Sequence, residues 1–233
     1  MSASDPRPVA VVTGATRGIG RACAADLARD HDVVALGRDP QLLAELAALP
    51  HVRARAVELT DLEALPQALA GLDRVDVLVH SAAVAGRTTV EAATPAQWRE
   101  QLELNVVAPA ELTRQLLPGL RAARGTVVFV NSGSGLTARA GDAVYAASKH
   151  ALRALADSLR QEVAADGVRV SSVHPGPVDT QMQQEIQAGL GNPYEPERYL
   201  RPESVAAAVR AVVDAGEDAQ LTTVSVRPRS EQR

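Results

Sequence analysis

Short runs rich in valine and alanine alternate with amphipathic or Ala/Leu-rich stretches along the chain, and this alternation narrows the choice of folds more than any other feature. The runs lack strict apolar–polar alternation, which indicates strands buried on both faces. Strands that alternate with helices favour right-handed crossovers and a doubly wound parallel sheet with helices on both faces. Strands are predicted at residues 9–13, 32–36, 52–57, 75–80, 126–131, 168–173 and 221–226. The sequence therefore predicts an α/β fold with about seven strands.

Helical patterns fill the intervals between these runs. They cover residues 19–29, 40–49, 62–69, 95–120, 143–164 and 202–214. No linker, repeat or low-complexity segment divides the 233 residues, so we predict a single domain over 1–233. Residues 181–201 interrupt the alternation, and a loop of that length indicates either disorder or a substrate lid. The candidate lid side chains are Met182, Tyr194 and Tyr199.

Composition restricts the partners and the compartment. The net charge is −4 and there is no basic cluster, which argues against nucleic acid or an anionic membrane as a partner. A single cysteine, Cys23, excludes an internal disulfide and fits a reducing compartment. The N-terminal MSASDPRP is too short and polar for a signal peptide or an anchor, and no apolar run approaches the ~18 residues of a membrane span. We expect a cytoplasmic protein without a metal site, because the histidines lack ligand spacing.

A glycine-rich turn, TGATRGIG, joins the first predicted strand to the first predicted helix. Its spacing is a variant of the G-x-G-x-x-G dinucleotide fingerprint. Glycines permit a tight turn, a close approach of the backbone to a pyrophosphate, and a helix N-terminus that faces the anion. The alternative is a turn that binds nothing. The predicted cofactor contacts in this turn are Gly14, Thr16, Arg17, Gly18, Ile19 and Gly20.

The end of the second strand, VVALGRDP, bears on the choice of cofactor. An acidic side chain at this position binds a free ribose 2′-OH, whereas arginine accommodates a 2′-phosphate. Gly37 occupies the acceptor position, Arg38 follows it, and Arg17 can reach the same place. Two arginines without a competing carboxylate favour NADP(H) over NAD(H). Asp39 could turn inward, but its place before Pro40 favours an N-cap.

Lys149 is the only lysine in a chain that otherwise uses arginine, and it lies four residues after Tyr145. On a helix, residues at that spacing share one face. An ammonium about 4 Å from a phenol, at an effective dielectric near 20, favours the phenolate by about 4 kcal/mol. This is enough to bring the pKa of the phenol from about 10 to about 7, where acid–base catalysis is efficient. The alternative is two ordinary residues of a helix surface.

Two polar residues occupy positions suited to the same chemistry. Ser132 ends the fifth predicted strand, at the edge of the sheet where ligands of such folds bind, and its hydroxyl can hydrogen-bond a substrate oxygen. Ser134 is the alternative serine, but the spacing to Tyr145 favours Ser132. Asn105 lies in a predicted helix four residues before Pro109, which has no N–H to bond the Asn105 carbonyl. That carbonyl can hold a water, unless the asparagine is incidental to a proline kink.

Residues 13–20, Asn105, Ser132 and the Y-x-x-x-K pair Tyr145 and Lys149 together resemble the short-chain dehydrogenase/reductase family, over residues 9 to about 226. The resemblance implies a Rossmann-type sheet and NAD(P)-dependent interconversion of small-molecule alcohols and carbonyls. It implies Tyr145 as general acid and base, and Lys149 as the residue that also holds the nicotinamide ribose. Asn105 would join this lysine to solvent through a water. A homodimer or homotetramer is expected on the same ground.

Weaker matches extend the resemblance to further cofactor contacts. ELTD resembles the adenine-side turn of the family, and HPGPVDT resembles its Pro-Gly segment beside the nicotinamide. HSAA departs from the usual Asn-Asn-Ala-Gly, which weakens the inference there. The residues assigned in this way are Glu58, Leu59, Ala82, Ala83, Pro175, Gly176, Val178 and Thr180. We predict an NADP(H)-dependent oxidoreductase; the alternatives are a dinucleotide-binding sensor or scaffold without turnover, and a lyase or epimerase on the same framework.

Overall fold

Seven parallel strands form one sheet in the computed structural model, which describes residues 6–229. The strands are β1 (Val9–Thr13), β2 (Asp32–Gly37), β3 (Val52–Ala56), β4 (Val77–His80), β5 (Thr126–Val130), β6 (Arg169–Pro175) and β7 (Thr223–Val226). Their spatial order is β3-β2-β1-β4-β5-β6-β7. The predicted α/β fold, a Rossmann-type doubly wound sheet, is confirmed. The order reverses between β1 and β4, which opens a crevice at the carboxyl ends of the strands.

Helices cover both faces of this sheet. They are α1 (Gly18–Leu27), α2 (Pro40–Ala47), α3 (Leu65–Ala68), α4 (Pro95–Leu102), α5 (Ala108–Ala123), α6 (Ala143–Glu162), α7 (Gln181–Gly189) and α8 (Pro202–Val213). Residues 1–5, most of the polar N-terminal segment considered above, and residues 230–233 of the predicted domain lie outside the described part of the chain. Within residues 6–229, no helix has both the length and the apolar character that a membrane crossing requires.

The core consists of two layers of aliphatic side chains, one on each face of the sheet. Val11 of β1 packs into the layer beneath α5 and α6, whereas its neighbours Ala10 and Val12 pack into the layer beneath α1 and α8. This is the alternation of a strand buried on both faces. With aromatic residues at only 2% of the chain, valine, leucine and alanine supply nearly all of this packing. The rigid sheet fixes the strand ends that carry the site.

Two predicted helices differ from the observed ones. The single helix expected over 95–120 is divided by a π-helical turn, Glu103–Val107, in which the Ala108 N–H donates to the Glu103 carbonyl. The helix predicted over 62–69 is observed only as the four-residue α3. A turn with a hydrogen bond from the Ala64 N–H to the Asp61 carbonyl occupies the residues before it. The π-turn was not visible in the periodicity, since one extra residue hardly changes a helical pattern.

The segment over 181–201 is more regular than a long loop. Its first half is α7, which begins after Thr180, whose hydroxyl accepts a hydrogen bond from the Gln183 N–H at 3.3 Å. Its second half contains a 3-10 turn, Pro196–Arg198, and returns to the body of the protein through a bridge between Val178 and Leu200. The alternative of disorder is therefore wrong for this segment.

Candidate active site

Two adjoining cavities open at the carboxyl ends of the strands. The first, of about 610 Å³, lies over β1, β2 and β4 and is called the cofactor cleft below. The second, of about 550 Å³, lies over β5, β6 and β7 and is called the substrate cavity. Ile19, Ala85, Thr180 and Met182 line both, so the two cavities meet at these residues. A long ligand in the cleft can therefore reach into the cavity.

The predicted cofactor residues divide between the two cavities. The cofactor cleft is lined by the following members of the predicted set: Gly14, Thr16, Arg17, Gly18, Ile19, Gly20, Arg38, Glu58, Leu59, Ala82, Ala83 and Thr180. The substrate cavity is lined by Pro175, Gly176, Val178 and Thr180, together with Ser132 and Tyr145. The fold thus brings the glycine turn and the Pro-Gly segment side by side where the two cavities meet, because Ile19 and Thr180 line both.

The glycine turn leaves no room for a side chain at Gly14 or Gly20. Gly14 has φ +62°, a backbone conformation that favours glycine, and a Cβ there would lie 2.8 Å from the backbone of Ala82. A Cβ at Gly20 would collide with the Gly14 carbonyl oxygen. The turn therefore brings backbone to the wall of the cleft and leads into the N-terminus of α1, where N–H groups favour an anion. These residues fit the pyrophosphate of a dinucleotide.

The two arginines at the adenosine end are paired with carboxylates. Arg17 Nη2 lies 3.0 Å from Asp39, and Arg38 Nη1 lies 3.1 Å from Glu58. The expectation of no competing carboxylate is therefore wrong. Asp39 is also the N-cap of α2, as expected, since it accepts hydrogen bonds from Gln41 N at 3.1 Å and from Leu42 N at 3.2 Å. The hydrogen bond from Leu42 N is the largest cause that holds the pKa of Asp39 below its ordinary value, and Arg17 and Gln41 N lower it further.

Ser132 is held at three points. Its backbone N–H donates to Asn131 Oδ1 at 2.9 Å, and His174 Nδ1 donates to its carbonyl at 2.9 Å. Its hydroxyl accepts from the Ser134 N–H at 3.1 Å and so caps the short 3-10 turn that follows. Asn131 in turn donates from Nδ2 to the Lys149 carbonyl at 3.1 Å, so it connects this loop to α6.

Ser134 points elsewhere in the same cavity. Its hydroxyl donates to Asp142 Oδ2 at 2.7 Å, and the Asp142 residue is only 9% exposed. Asp142 directly precedes α6 and lines the cavity together with Tyr145. The sequence analysis assigned no role in the site to Asp142 or His174, because neither contact can be read from local sequence.

The pKa of Tyr145 differs from the expected value near 7. Burial raises this pKa to about 12, an interaction with the Ser132 hydroxyl opposes the rise, and the charge of Asp142 adds to it. The Lys149 Nζ lies 5.8 Å from the centre of the Tyr145 ring and donates to the Val130 carbonyl at 3.3 Å. The loss of hydration on burial, which the expected value of about 7 did not include, therefore exceeds the effect of the lysine in this structure.

Lys149 is 1% exposed, so it is not a helix-surface residue. Burial lowers its pKa to about 8, because a buried ammonium loses its hydration. The slim side chain passes beneath Tyr145 to the end of β5. A compact charge fits this position, whereas a guanidinium would need several further hydrogen-bond partners.

Asn105 lies in the π-helical turn, fully buried. Its Nδ2 donates to the Val84 carbonyl at 2.9 Å and to Ser148 Oγ at 3.0 Å, and its Oδ1 accepts from the Val84 N–H at 2.9 Å. The side chain therefore ties α6 to the loop after β4, which lines the cofactor cleft.

His80, where the family usually has asparagine, is also buried. Thr113 Oγ1 donates to the Pro109 carbonyl at 2.7 Å, so the 2.8 Å contact with His80 Nε2 is a hydrogen bond donated by the imidazole. Burial lowers the pKa of His80 to about 3, so the ring is neutral, and it stacks on Phe129 with the ring centres 4.8 Å apart. The departure from the family pattern thus has a local structural explanation.

Of the three predicted lid residues, only Met182 lines the cavities. Tyr194 and Tyr199 line neither cavity: their rings pack with centres 5.1 Å apart, and the Tyr194 hydroxyl donates to Asp179 at 2.5 Å. These two tyrosines lie outside both cavities in this structure, and their contact with a substrate stays a prediction. Among residues 6–229, no group of three or more His, Cys, Asp or Glu is arranged to hold a metal ion.

Comparison with known proteins places the chain in a family. The short chain dehydrogenase family model matches residues 8–191. A Mycobacterium tuberculosis protein named as an uncharacterised NAD-dependent oxidoreductase is 35% identical over 199 residues, which cover 75% of this chain and 72% of that protein.

Solved structures agree with this match. An oxidoreductase of the short-chain dehydrogenase/reductase family from Burkholderia thailandensis has a TM-score of 0.85 at 32% identity, over 94% of this chain and 91% of that one. An alcohol dehydrogenase from the archaeon Thermococcus sibiricus, in complex with 5-hydroxy-NADP, has a TM-score of 0.86 at 26% identity, over 97% and 98%. The chain therefore belongs to the short-chain dehydrogenase/reductase family and is an NAD(P)-dependent oxidoreductase.

Proposed function

We propose that this protein is an NADP(H)-dependent oxidoreductase of small-molecule carbonyl and alcohol substrates, with Tyr145 as general acid in reduction and general base in oxidation. One observation carries the proposal. The Tyr145 and Ser132 side chains lie together in the substrate cavity, which continues into a cleft built on the glycine turn. A binding protein without turnover has no need of a phenol beside a serine hydroxyl in this cavity.

The role of each residue follows from its position. The cofactor, when bound, supplies or accepts the hydride at the nicotinamide ring. In reduction, the Tyr145 hydroxyl gives its proton to the substrate oxygen, and Ser132 donates a hydrogen bond to the same oxygen. Lys149 stabilises the phenolate that remains after the transfer. Asn105 holds the loop after β4 and α6 together, and a water at its carbonyl would return a proton to the lysine.

The direction of reduction is supported by the protonation state of the phenol. Burial raises the pKa of Tyr145 to about 12, so at neutral pH the hydroxyl carries its proton. A protonated phenol is ready to act as an acid, whereas oxidation needs the phenolate. The NADP(H) pool is usually kept reduced in cells, so NADPH would supply the matching hydride.

The preference for NADP(H) rests on Arg17 and Arg38, which line the adenosine end of the cofactor cleft. Their side chains are 54% and 70% exposed, and their present partners Asp39 and Glu58 also face solvent. Exposed ion pairs of this kind contribute little to stability, so a 2′-phosphate can replace the carboxylates as partner of the arginines.

We further propose that the protein is a cytoplasmic homodimer or homotetramer. Within residues 181–201, we propose that α7 and Met182 cover the substrate.

The test is to follow the near-ultraviolet absorbance of NADPH with a panel of ketones and aldehydes. We expect turnover by the wild type, and a fall in kcat of about 10³-fold in Tyr145→Phe while NADPH still binds. NADH should be the poorer cofactor, and Arg38→Gln should narrow the difference. Binding of NADPH without its oxidation by any member of a broad panel would instead favour the sensor or scaffold.

A further inference from the structure

The substrate cavity carries an excess of positive charge. Among the described residues that line it, three are arginines, Arg87, Arg139 and Arg227, and the sole carboxylate is Asp142. We propose that the substrate carries an anionic oxyacid group, a carboxylate or a phosphate ester, in addition to the carbonyl or hydroxyl that reacts. This inference rests on the proposed function and specifies its substrate class.

Two of the arginines belong to one wall of the cavity. Arg87 follows β4 and donates from Nη2 to the Ala140 carbonyl at 3.1 Å. Ala140 belongs to a turn that begins at Arg139 and closes with a hydrogen bond from the Asp142 N–H to the Arg139 carbonyl at 3.2 Å. Within residues 6–229, the Arg139 side chain makes no hydrogen bond or ion pair. This turn leads directly into α6, so both guanidinium groups belong to the wall that carries Tyr145.

The third arginine lies beside the loop that carries Ser132. Arg227 follows β7, and a Cβ added to Gly133 would collide with its Nη1. A Cβ added to Gly176 would lie 3.5 Å from the Nε and Cζ of the same side chain. Gly133 directly follows Ser132, and Gly176 belongs to the Pro-Gly segment. The absence of side chains at these two positions thus brings a guanidinium close to the predicted site of the substrate oxygen.

The one carboxylate of the cavity does not neutralise these charges. Asp142 accepts the Ser134 hydroxyl and forms no ion pair with an arginine among the described residues. Three guanidinium groups and one carboxylate leave a formal excess of two positive charges in the lining. A guanidinium donates two parallel hydrogen bonds to a carboxylate or phosphate, which makes it selective for such groups.

The phosphates of the cofactor do not account for this charge. None of the three arginines lines the cofactor cleft, where Arg17 and Arg38 provide the positive charge instead. The excess therefore lies in the cavity that also contains Ser132 and Tyr145. A neutral ketone offers these guanidinium groups no opposite charge, whereas an anionic substrate does.

The first experiment compares pairs of substrates that differ in charge. One pair is 4-carboxybenzaldehyde and its methyl ester, and the other is dihydroxyacetone phosphate and dihydroxyacetone. We expect kcat/KM to be at least about 10-fold higher for one of the two anions than for its neutral partner, through KM, and to fall with added salt. An effect in the first pair identifies a carboxylate as the group recognised, and an effect in the second pair identifies a phosphate.

Arginine variants locate the effect. Arg139→Gln and Arg227→Gln should each reduce kcat/KM for the preferred anion by about 10-fold, and by a smaller factor for its neutral partner. The matched control is Arg29→Gln, an exposed arginine outside both cavities, which should change neither. Equal kcat/KM for both members of both pairs, or equal losses on anion and neutral partner, would overturn the proposal.

A binding measurement separates this inference from the proposed function. Calorimetric titration of the full chain with 4-carboxybenzyl alcohol and with its methyl ester needs no turnover. If no carbonyl compound is reduced, the proposed function fails, yet selective binding of the acid that weakens in Arg139→Gln would still support the anion site. Absence of any preference for the acid, and for dihydroxyacetone phosphate over dihydroxyacetone, would refute it.

Discussion

The cofactor cleft and the substrate cavity are built in different ways. The phosphate end of the cleft consists of glycine, alanine and backbone at the ends of β1 and β4, for example Gly14, Gly20 and Ala82. The cavity is lined by functional side chains, including Ser132, Tyr145 and the three arginines. The glycine turn therefore depends on the absence of side chains, and the cavity on the functional groups that line it.

This difference predicts how each can be damaged. Adding a methyl group should destroy the cleft, because its backbone is already in close contact with itself. In the cavity, the damage should come from removing a hydroxyl or a charge, because the chemistry depends on these groups. A result that reversed this pattern would show that the two cavities do not have separate tasks.

The largest effect is expected for Gly20→Ala in the cofactor cleft. The new Cβ would collide with the Gly14 carbonyl oxygen, so the turn must shift away from the geometry that holds a pyrophosphate. We expect the Kd for NADPH to rise by at least about 100-fold, and the free energy of unfolding to fall by about 1–3 kcal/mol. Calorimetric titration and thermal unfolding measure the two quantities.

Gly189→Ala is the matched control, since a Cβ there meets nothing within 4 Å. It should bind NADPH as the wild type does. Should Gly20→Ala prove unfolded, Gly18→Ala serves instead, because Gly18 has φ +51° and a Cβ there would lie 3.0 Å from Thr180 Cγ2. Wild-type affinity in a folded Gly20→Ala or Gly18→Ala protein would contradict the role of the turn.

A smaller effect is expected for Ser132→Ala in the substrate cavity. Loss of the hydroxyl should lower kcat by about 100-fold, because it removes a hydrogen bond to the developing charge on the substrate oxygen. It should also raise the pKa of Tyr145 further, since the Ser132 interaction lowers that pKa. Steady-state kinetics across pH report both changes.

Ser134→Ala provides the comparison, because its hydroxyl donates to Asp142 within the same cavity. Its effect on kcat should be clearly smaller. If Ser134→Ala reduced kcat as much as Ser132→Ala, the assignment of the two serines would have to be exchanged.

The smallest effect is expected for Asp142→Asn, which removes a charge and keeps a hydrogen-bond acceptor for Ser134. The charge of Asp142 raises the pKa of Tyr145, so the substitution should lower it. Reduction needs the protonated phenol and is lost as pH rises through this pKa. Its alkaline limit should therefore move to lower pH, while alcohol oxidation below the pKa should become faster.

The exposed Asp218→Asn is the control and should leave the pH profile unchanged. A movement of the alkaline limit to higher pH in Asp142→Asn would show that the carboxylate does not act on Tyr145 through its charge.

Much of the fold could be predicted because its signals are short-range. β1 was predicted over 9–13 and is observed over Val9–Thr13, since a run of buried valines followed by a glycine turn allows little else. β4 begins two residues later than predicted, at Val77, because Val75 bonds the Gly119 carbonyl instead of joining the parallel ladder. The π-helical turn at Asn105 and helix α7 were not predicted, because neither changes the local pattern enough.

The site could be predicted only in part. The glycine turn and the spacing of Tyr145 and Lys149 on one helix follow from local sequence. The pKa of Tyr145 could not be obtained in this way, because it depends on burial by distant residues and on Asp142. The same holds for His174, which binds the Ser132 carbonyl across two strands that are neighbours only in the folded protein.

By itself, the sequence determined the order of strands and helices, the position of the phosphate-binding turn, and the presence of one lysine near one tyrosine. Only the tertiary structure decided that Arg17 and Arg38 are paired with carboxylates, and that Arg87, Arg139 and Arg227 gather around one cavity. The physical reason is range. Backbone conformation and apolar periodicity act over a few residues, whereas hydration, ion pairing and the charge of a cavity depend on residues that only folding brings together.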